Sequence, residues 1–230
     1  LFHQVIQEAV ETPGQDAAVQ PQAATAKIAK AMSSAKAGPM KTEGRRFDES
    51  NRDSLLGHER ESRWEPPVFL KQLDLKPGQA VLDLGCGPGF WTLPLADAVG
   101  PSGTVWALDG SRGMLEALKR REPPEQVRTV FSELPEIKLP DRSIDFIWAS
   151  FIVHELHEPA GLIKEMSRVL KPGGRAAVLE WRREGRTDDG PPAHHRIAAS
   201  DLSGHLAGAG FSESRQIWQD DDYYMVIGSI

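Results

Sequence analysis

The sequence predicts an α/β fold, a doubly wound, mostly parallel seven-stranded sheet with an antiparallel last strand, preceded by a helical lid and a flexible N-terminal leader. Three observations predict it. From Gln79 onward, short β-rich runs alternate with helical patterns, which implies parallel strands joined by helices that cover both sheet faces. The first run passes directly into a glycine loop and then a helix, the arrangement that offers free backbone N–H groups to a ligand. The last two runs, Ser214 to Trp218 and Tyr223 to Ile230, are joined by the acidic segment Gln219 to Asp222, short enough for a hairpin.

Taken in order, residues 1 to 40 are rich in Ala and Gln, broken by Pro13, Gly14, Pro21, Gly38 and Pro39, and hold Phe2 as their one aromatic. No core can be built from that composition, so the stretch reads as a flexible leader or linker. A short helix over Thr25 to Lys36, with Ile28 and Met32 on its apolar face, would make it a docking segment instead. Residues 41 to 230 form the domain, of which 41 to 78 are the lid. There Leu55, Leu56, Trp64, Val68, Phe69, Leu70 and Leu73 can pack one side; Pro66 and Pro67 start a helix and Lys76, Pro77 and Gly78 stop it. Strands follow at Ala80 to Leu84, Thr104 to Leu108, Val127 to Phe131, Ile144 to Ala149 and Ala176 to Trp181. Between the last two, Leu162, Ile163, Met166, Val169 and Leu170 give the helix Pro159 to Leu170 one buried face.

Composition narrows the function. With 27 Lys and Arg against 33 Asp and Glu, the net charge of −6 gives no support to nucleic acid or an anionic membrane surface as partner, and favours a small molecule. Cys86 is the single cysteine, so no internal disulfide or thiolate metal cluster can form, which predicts a reducing compartment, the cytoplasm. No run approaches the roughly 18 apolar residues of a membrane span, and the opening residues lack a basic segment followed by an apolar core.

The most informative segment is VLDLGCGPGFW, a strand that ends in Asp83 and runs into Gly85, Gly87 and Gly89. Its spacing argues against a nicotinamide dinucleotide. That fingerprint wants a glycine three places after the second, where this chain has Phe90, and Asp83 would repel a pyrophosphate. The second strand ends in Asp109, twenty residues beyond Gly89, where a carboxylate can accept hydrogen bonds from two ribose hydroxyls. That supports a nucleoside without choosing which, and a helix N-terminal acid before Gly110 to Arg121 is the competing explanation.

Three further blocks stand in order: LPDRSIDFIWAS at the fourth strand, HELHEP after it, and EMSRVLKPGGRAAVLEW leading into the fifth. With these, the chain from about Gln79 to Ile230 resembles the Rossmann-like class I S-adenosylmethionine-dependent methyltransferases, in particular the methyltransferase type 11 branch that includes quinone C-methyltransferases. The resemblance implies that Asp83, Gly85, Gly87 and Gly89, with Cys86 and Pro88 in the same loop, hold the methionyl part of S-adenosylmethionine. It implies Asp109 for the ribose, Gly110 and Met114 against the adenine, and Ala149 at the end of the fourth strand as part of the same site. Glu133, in place of the more usual Asp, would meet the adenine amino group, with the backbone N–H of Leu134 beside it. Cys86 receives no catalytic role.

Methyl transfer is an in-line displacement at an activated carbon, so the protein supplies alignment, desolvation and, where the acceptor must lose a proton, a base. His154 is the first choice, with Glu155 beside it and His157 nearby; capping of the next helix is the competing role for these groups. A second group, Glu180, Trp181, Arg182 and Arg183, ends the fifth strand and leads to His194 and His195. Adjacent histidines point apart in a regular element, and the spacing of His154 and His157 is not that of a zinc-binding pair, so no metal is expected. Trp64, Phe151, Trp181, His194 and His195 are the expected acceptor pocket, suited to a small, largely apolar molecule. Ala149, Ser150, Phe151 and Ile152 stand where nucleobase amine methylation uses Asn or Asp with two prolines and an aromatic, and thiol-based chemistries lack their cysteines. Two other functions are weighed against this one: a cofactor-binding module without turnover that acts through a partner, and a nucleotide-dependent oxidoreductase.

Overall fold

The computed structural model describes residues 55–56, 63–185 and 190–230; the expected leader at 1 to 40, the helix over Thr25 to Lys36 and the first part of the lid lie outside them. Seven strands form one sheet in the order β3-β2-β1-β4-β5-β7-β6. They are β1 (Ala80–Leu84), β2 (Thr104–Asp109), β3 (Val127–Phe131), β4 (Ile144–Ser150), β5 (Leu170–Trp181), β6 (Glu213–Gln219) and β7 (Tyr223–Ser229). Strands β1 to β5 pair in parallel, whereas β7 runs antiparallel to both β5 and β6. The order reverses at β1, which pairs with β2 on one side and β4 on the other, so the crevice for a ligand opens at the carboxyl ends of β1 and β4.

Alternation along the strands divides the core in two. Leu82 and Leu84 of β1, Ile147 and Ala149 of β4, and Ala176 and Val178 of β5 share one face with Tyr224 and Val226. That face is covered by α4 (Pro159–Val169), which buries Leu162, Ile163, Met166 and Val169, and by α5 (Ala199–Gly208), which buries Leu202 and Leu206. The other face, which carries Asp83, Ala107 and Trp148 in register, is covered by α1 (Pro66–Leu70), α2 (Thr92–Val99) and α3 (Arg112–Lys119). Leu115 and Leu118 of α3 pack on Ala107, and Phe69, Trp91 and Trp148 meet ring to ring. The Ser111 hydroxyl caps α3 by accepting from the Met114 N–H at 3.0 Å.

Two boundaries differ from the sequence expectation by three residues or more. The helix begun by Pro66 and Pro67 ends well before Lys76, because a 3₁₀ turn over Lys71–Leu73 is closed by Asp74 in the left-handed region. Strand β5 begins at Leu170, which leaves the helix with extended backbone and pairs with Ile144; a register shift then accommodates the Lys-Pro-Gly-Gly segment before Arg175 meets Phe146.

Strand β1 is tied to α2 by a hydrogen bond from the Thr92 hydroxyl to Asp83 Oδ2 at 2.6 Å. Asp83 is 1% exposed, and burial pushes its carboxyl up to about 7, an effect that the Thr92 bond reduces and the charge of Asp109 adds to. The folded chain therefore holds this proton more tightly than the unfolded chain, whose carboxyl ionises near about 3.9. Its contribution to stability is full below that pH and is lost progressively as pH rises to about 7. In thermal or urea unfolding between pH 5 and 8, Asp83→Asn should gain roughly 2–3 kcal/mol relative to the parent chain. A difference between the two that stays flat with pH would show that Asp83 is not held protonated.

Candidate functional site

Residues 85–89 form the loop between β1 and α2, anchored where the N–H groups of Gly85 and Cys86 both donate to the Leu108 carbonyl at 2.9 Å. Gly85 has a φ of 74°, and a Cβ there would come within 2.8 Å of Ile152 Cδ1. The segment after β4 is thus seated directly on this loop, at a position only glycine leaves open. Gly89 likewise gives its side-chain space to Leu118 of α3. Asp109, at the tip of β2, accepts the Gly87 N–H on Oδ2 and the Ser111 N–H on Oδ1, each at 2.8 Å. Arg121 closes the loop from the far side, donating to the carbonyls of Gly89 at 2.7 Å and Pro88 at 3.2 Å.

The other residues expected around the cofactor fall at differing depths. Gly110 is half-buried and Met114 buried beside Asp109; the Ser132 N–H donates to the Asp109 carbonyl at 3.2 Å, which brings the segment after β3 to the same edge. Within that segment Glu133 is exposed and Leu134 half-buried. The side chain of Ala149 belongs to the α4 and α5 core. Cys86 is buried, and burial, reinforced by Asp83 and Asp109, pushes its thiol well above the ordinary range, which leaves it without thiolate character.

Beyond β4 the chain turns at Phe151, which has a φ of 57°, into a 3₁₀ turn over Val153–Glu155. A carboxylate from the neighbouring strand organises this turn. Glu180, the penultimate residue of β5, is fully buried; its Oε1 accepts the N–H groups of Val153 at 2.7 Å and His154 at 3.2 Å, and its Oε2 lies 2.8 Å from His154 Nδ1. Burial disfavours the imidazolium form of His154, and Arg196 adds to that, but the charge and hydrogen bond of Glu180 together with Glu155 outweigh both and hold its pKa above the ordinary histidine value. Glu155 is half-buried in the same turn, and His157 is exposed. Neither histidine caps α4: its N-cap residue is Glu158, and no side chain bonds there.

The three aromatic residues expected in the acceptor pocket come together. Phe151 lies 5.3 Å from Trp64 and 5.4 Å from Trp181, centroid to centroid. Tyr223 joins them at 4.8 Å from Trp64, 4.7 Å from Trp181 and 5.6 Å from Phe151, with Arg63 donating to its hydroxyl. The loop after β5 covers Trp181, with Gly190 against the indole and the Arg196 guanidinium 5.6 Å from it. His194 and His195 depart from the expectation that adjacent histidines diverge: a 3₁₀ turn over Ala193–His195 brings their rings edge to face at 4.3 Å. Among the described residues, no three His, Cys, Asp or Glu side chains gather as a metal site.

Sequence reasoning missed Tyr223, Arg121, Ile152 and the pairing of Glu180 with His154. Tyr223 faces Trp181 through the β5–β7 register, a cross-strand relation that only a known strand order reveals. Glu180 carried a legible signal, an acid at the buried end of an otherwise apolar strand run.

Comparison with known proteins agrees with this geometry. The model of the family described as "Methyltransferase domain" matches residues 82–178. A demethylmenaquinone methyltransferase of Geobacillus sp. (strain WCH70) is 33% identical over 137 residues, 58% of this chain and 57% of that protein. Its counterpart in Staphylococcus aureus (strain JH9) is 34% identical over 59% of this chain and 56% of its own. The chain thus spans a little over half the length of these curated relatives. A solved SAM-dependent methyltransferase from Aquifex aeolicus superposes with a TM-score of 0.74 at 33% identity, over 80% of this chain and 100% of its own. S-Adenosylmethionine is the methyl donor of this family. The chain belongs to the class I S-adenosylmethionine-dependent methyltransferases, with a methyltransferase type 11 domain.

Proposed function

We propose that the chain transfers a methyl group from S-adenosylmethionine to a small, largely apolar acceptor held at the carboxyl ends of β4 and β5. The observation that carries this reading is the convergence at one sheet edge of the glycine loop, Asp109 and an aromatic cluster built around Trp64, Phe151, Trp181 and Tyr223. When bound, S-adenosylmethionine supplies a methyl carbon already activated by its sulfonium charge.

The residues supply the rest. Asp109, fixed at the tip of β2 by the N–H groups of Gly87 and Ser111, is an acid of the kind that accepts ribose hydroxyls. The glycine loop and the start of α2 would hold the methionyl carboxylate, Gly110 and Met114 the adenine, and Glu133 with the Leu134 N–H its edge. Asp83 acts one step removed, by fixing β1 to α2 through Thr92. The aromatic cluster excludes water and stacks a flat acceptor, which suits a ring such as the quinone in the name of the curated relatives. His154 takes the proton that such an acceptor gives up. The net charge of −6 agrees with a small-molecule partner, and no described helix is long and apolar enough to cross a membrane.

Calorimetric titration tests the cofactor first. The chain should bind S-adenosylmethionine and S-adenosylhomocysteine and not NAD, and Asp109→Ala should weaken both at least about tenfold, since it removes charge-assisted bonds of about 1.5–3 kcal/mol each. Binding of NAD in their place would overturn the assignment. For the acceptor, incubation with reduced demethylmenaquinone and isotope-labelled methyl donor should yield a product heavier by one methyl group; cofactor binding with no transfer to this or any small acceptor would leave a binding module. Trp181→Ala should raise the KM for the acceptor about tenfold or more while cofactor affinity stays within about threefold, as removal of one stacked ring from a pocket predicts.

A further inference from the structure

We propose that Glu180 is the positioning residue for His154, fixing its ring so that Nε2 serves as the base for the acceptor's proton; this rests on the methyltransferase reading above. The hydrogen-bond inventory carries the argument. Two backbone N–H groups of the turn, from Val153 and His154, donate to Oε1, which fixes the carboxylate plane and leaves Oε2 against His154 Nδ1 at 2.8 Å. A carboxylate can only accept, so the ring proton sits on Nδ1 and the lone pair on Nε2. Nε2 makes no hydrogen bond among the described residues, and the side chain keeps 10% of its surface open. The turn that carries it is seated on the cofactor loop by Ile152 against Gly85, and begins at Phe151 in the aromatic cluster. The base thus stands where the cofactor loop and the acceptor's aromatic walls meet.

A backbone-capping carboxylate alone would need no imidazole, and a solvent-facing base would need no buried carboxylate. Glu180 serves both functions at full burial. The other charged and titratable groups around His154 are Glu155 on its own turn, Arg196 from the loop after β5, and the Tyr224 hydroxyl on β7. Arg196 is held by the carbonyls of Arg182, Gly185 and Pro191, and Tyr224 donates to the Ile197 carbonyl at 2.9 Å, so Glu180 remains the partner of the ring. In the reaction the new bond forms between the acceptor atom and the methyl carbon, and the electron pair of the broken S–C bond stays on sulfur. The acceptor's proton passes to Nε2, giving an imidazolium opposite the Glu180 carboxylate, and then leaves to water.

The test is ring-nitrogen NMR of the full chain labelled at histidine, with His154 assigned by its loss in His154→Gln, alongside turnover of reduced demethylmenaquinone. The parent chain should show the Nδ1–H tautomer and a titration midpoint above that of an ordinary histidine. In Glu180→Gln the two backbone donors keep the amide oxygen toward them, so the amide NH₂ donates to Nδ1 and the ring shifts to the Nε2–H form, whose Nε2 has no lone pair to accept the acceptor's proton. The titration midpoint should fall by one pH unit or more, the acidic limb of the rate profile should move with it, and kcat should fall about 10²- to 10⁴-fold. KM and calorimetric affinity for S-adenosylmethionine should change less than about threefold. An unchanged tautomer and midpoint in Glu180→Gln, or parent-like turnover by His154→Gln, which leaves Glu180 intact and covers the case where Glu180→Gln does not fold, would overturn the positioning role. A parent chain that binds no S-adenosylmethionine would instead overturn the methyltransferase reading, and the base with it.

Discussion

The contact of Ile152 with the bare face of Gly85 is the constraint on which the geometry of this protein depends. It fixes the separation between two loops that belong to different strands and, on the reading above, to different substrates. The loop after β1 is held by Asp109 and Arg121, and the turn after β4 by Glu180. Each is internally rigid through hydrogen bonds, but nothing in either set specifies the distance between them. The parallel pairing of β1 with β4 brings the two strand ends together, and the packed side chain sets the final spacing. Methyl transfer is sensitive to that spacing at the scale of about 1 Å, which is the scale on which a Cβ at this position would displace it.

Two buried carboxylates lie at strand ends and are used in opposite ways. Asp83 has one side-chain donor, Thr92, against full burial, so its carboxyl is pushed up to about 7 and below that pH it links strand to helix in its protonated form. Glu180 faces the Val153, His154 and Trp181 N–H groups and an imidazole, so its two oxygens have several hydrogen-bond partners where Asp83 has one. The two differ in the number of hydrogen-bond donors around them and not in depth, since both residues are buried. On the reading above, a buried acid is structural at one strand end and positions a base at another within the same sheet.

Most of the fold was legible because the strands are short apolar runs and the helices carry one apolar face each. The antiparallel last strand could be inferred from the short acidic turn at Gln219 to Asp222, and the structure pairs β6 with β7 as that turn requires. The placement of the glycine loop and Asp109 was legible for a related reason: it is tied to backbone conformation and strand position, both written locally. What was not legible depends on register and on side-chain direction. Tyr223 enters the aromatic cluster by lying opposite Trp181, and Glu180 reaches His154 across the boundary between two strands. The start of β5 at Leu170 was hidden because a Lys-Pro-Gly-Gly segment looks like a loop when the register shift that absorbs it is unseen. His194 and His195 were misread because the expectation of divergence holds for extended chain and α-helix, and the chain there is a 3₁₀ turn.

The aromatic cluster at the mouth is continuous with the core beneath it. Trp148 on β4 contacts Trp91 at 4.7 Å, Trp91 contacts Trp64 at 6.3 Å, and Trp64 reaches Phe151 and Tyr223. A large side chain at the mouth is therefore supported by rings that also hold α1 and α2 against the sheet. In many enzymes of this architecture loops can vary freely above a fixed scaffold; here the proposed acceptor walls and one layer of the core are the same set of rings. Changes that enlarge the mouth must also loosen the packing of α1 and α2. Acceptor range and stability are coupled on that face, whereas the Asp109 edge, built from backbone bonds and a small loop, is free of that coupling.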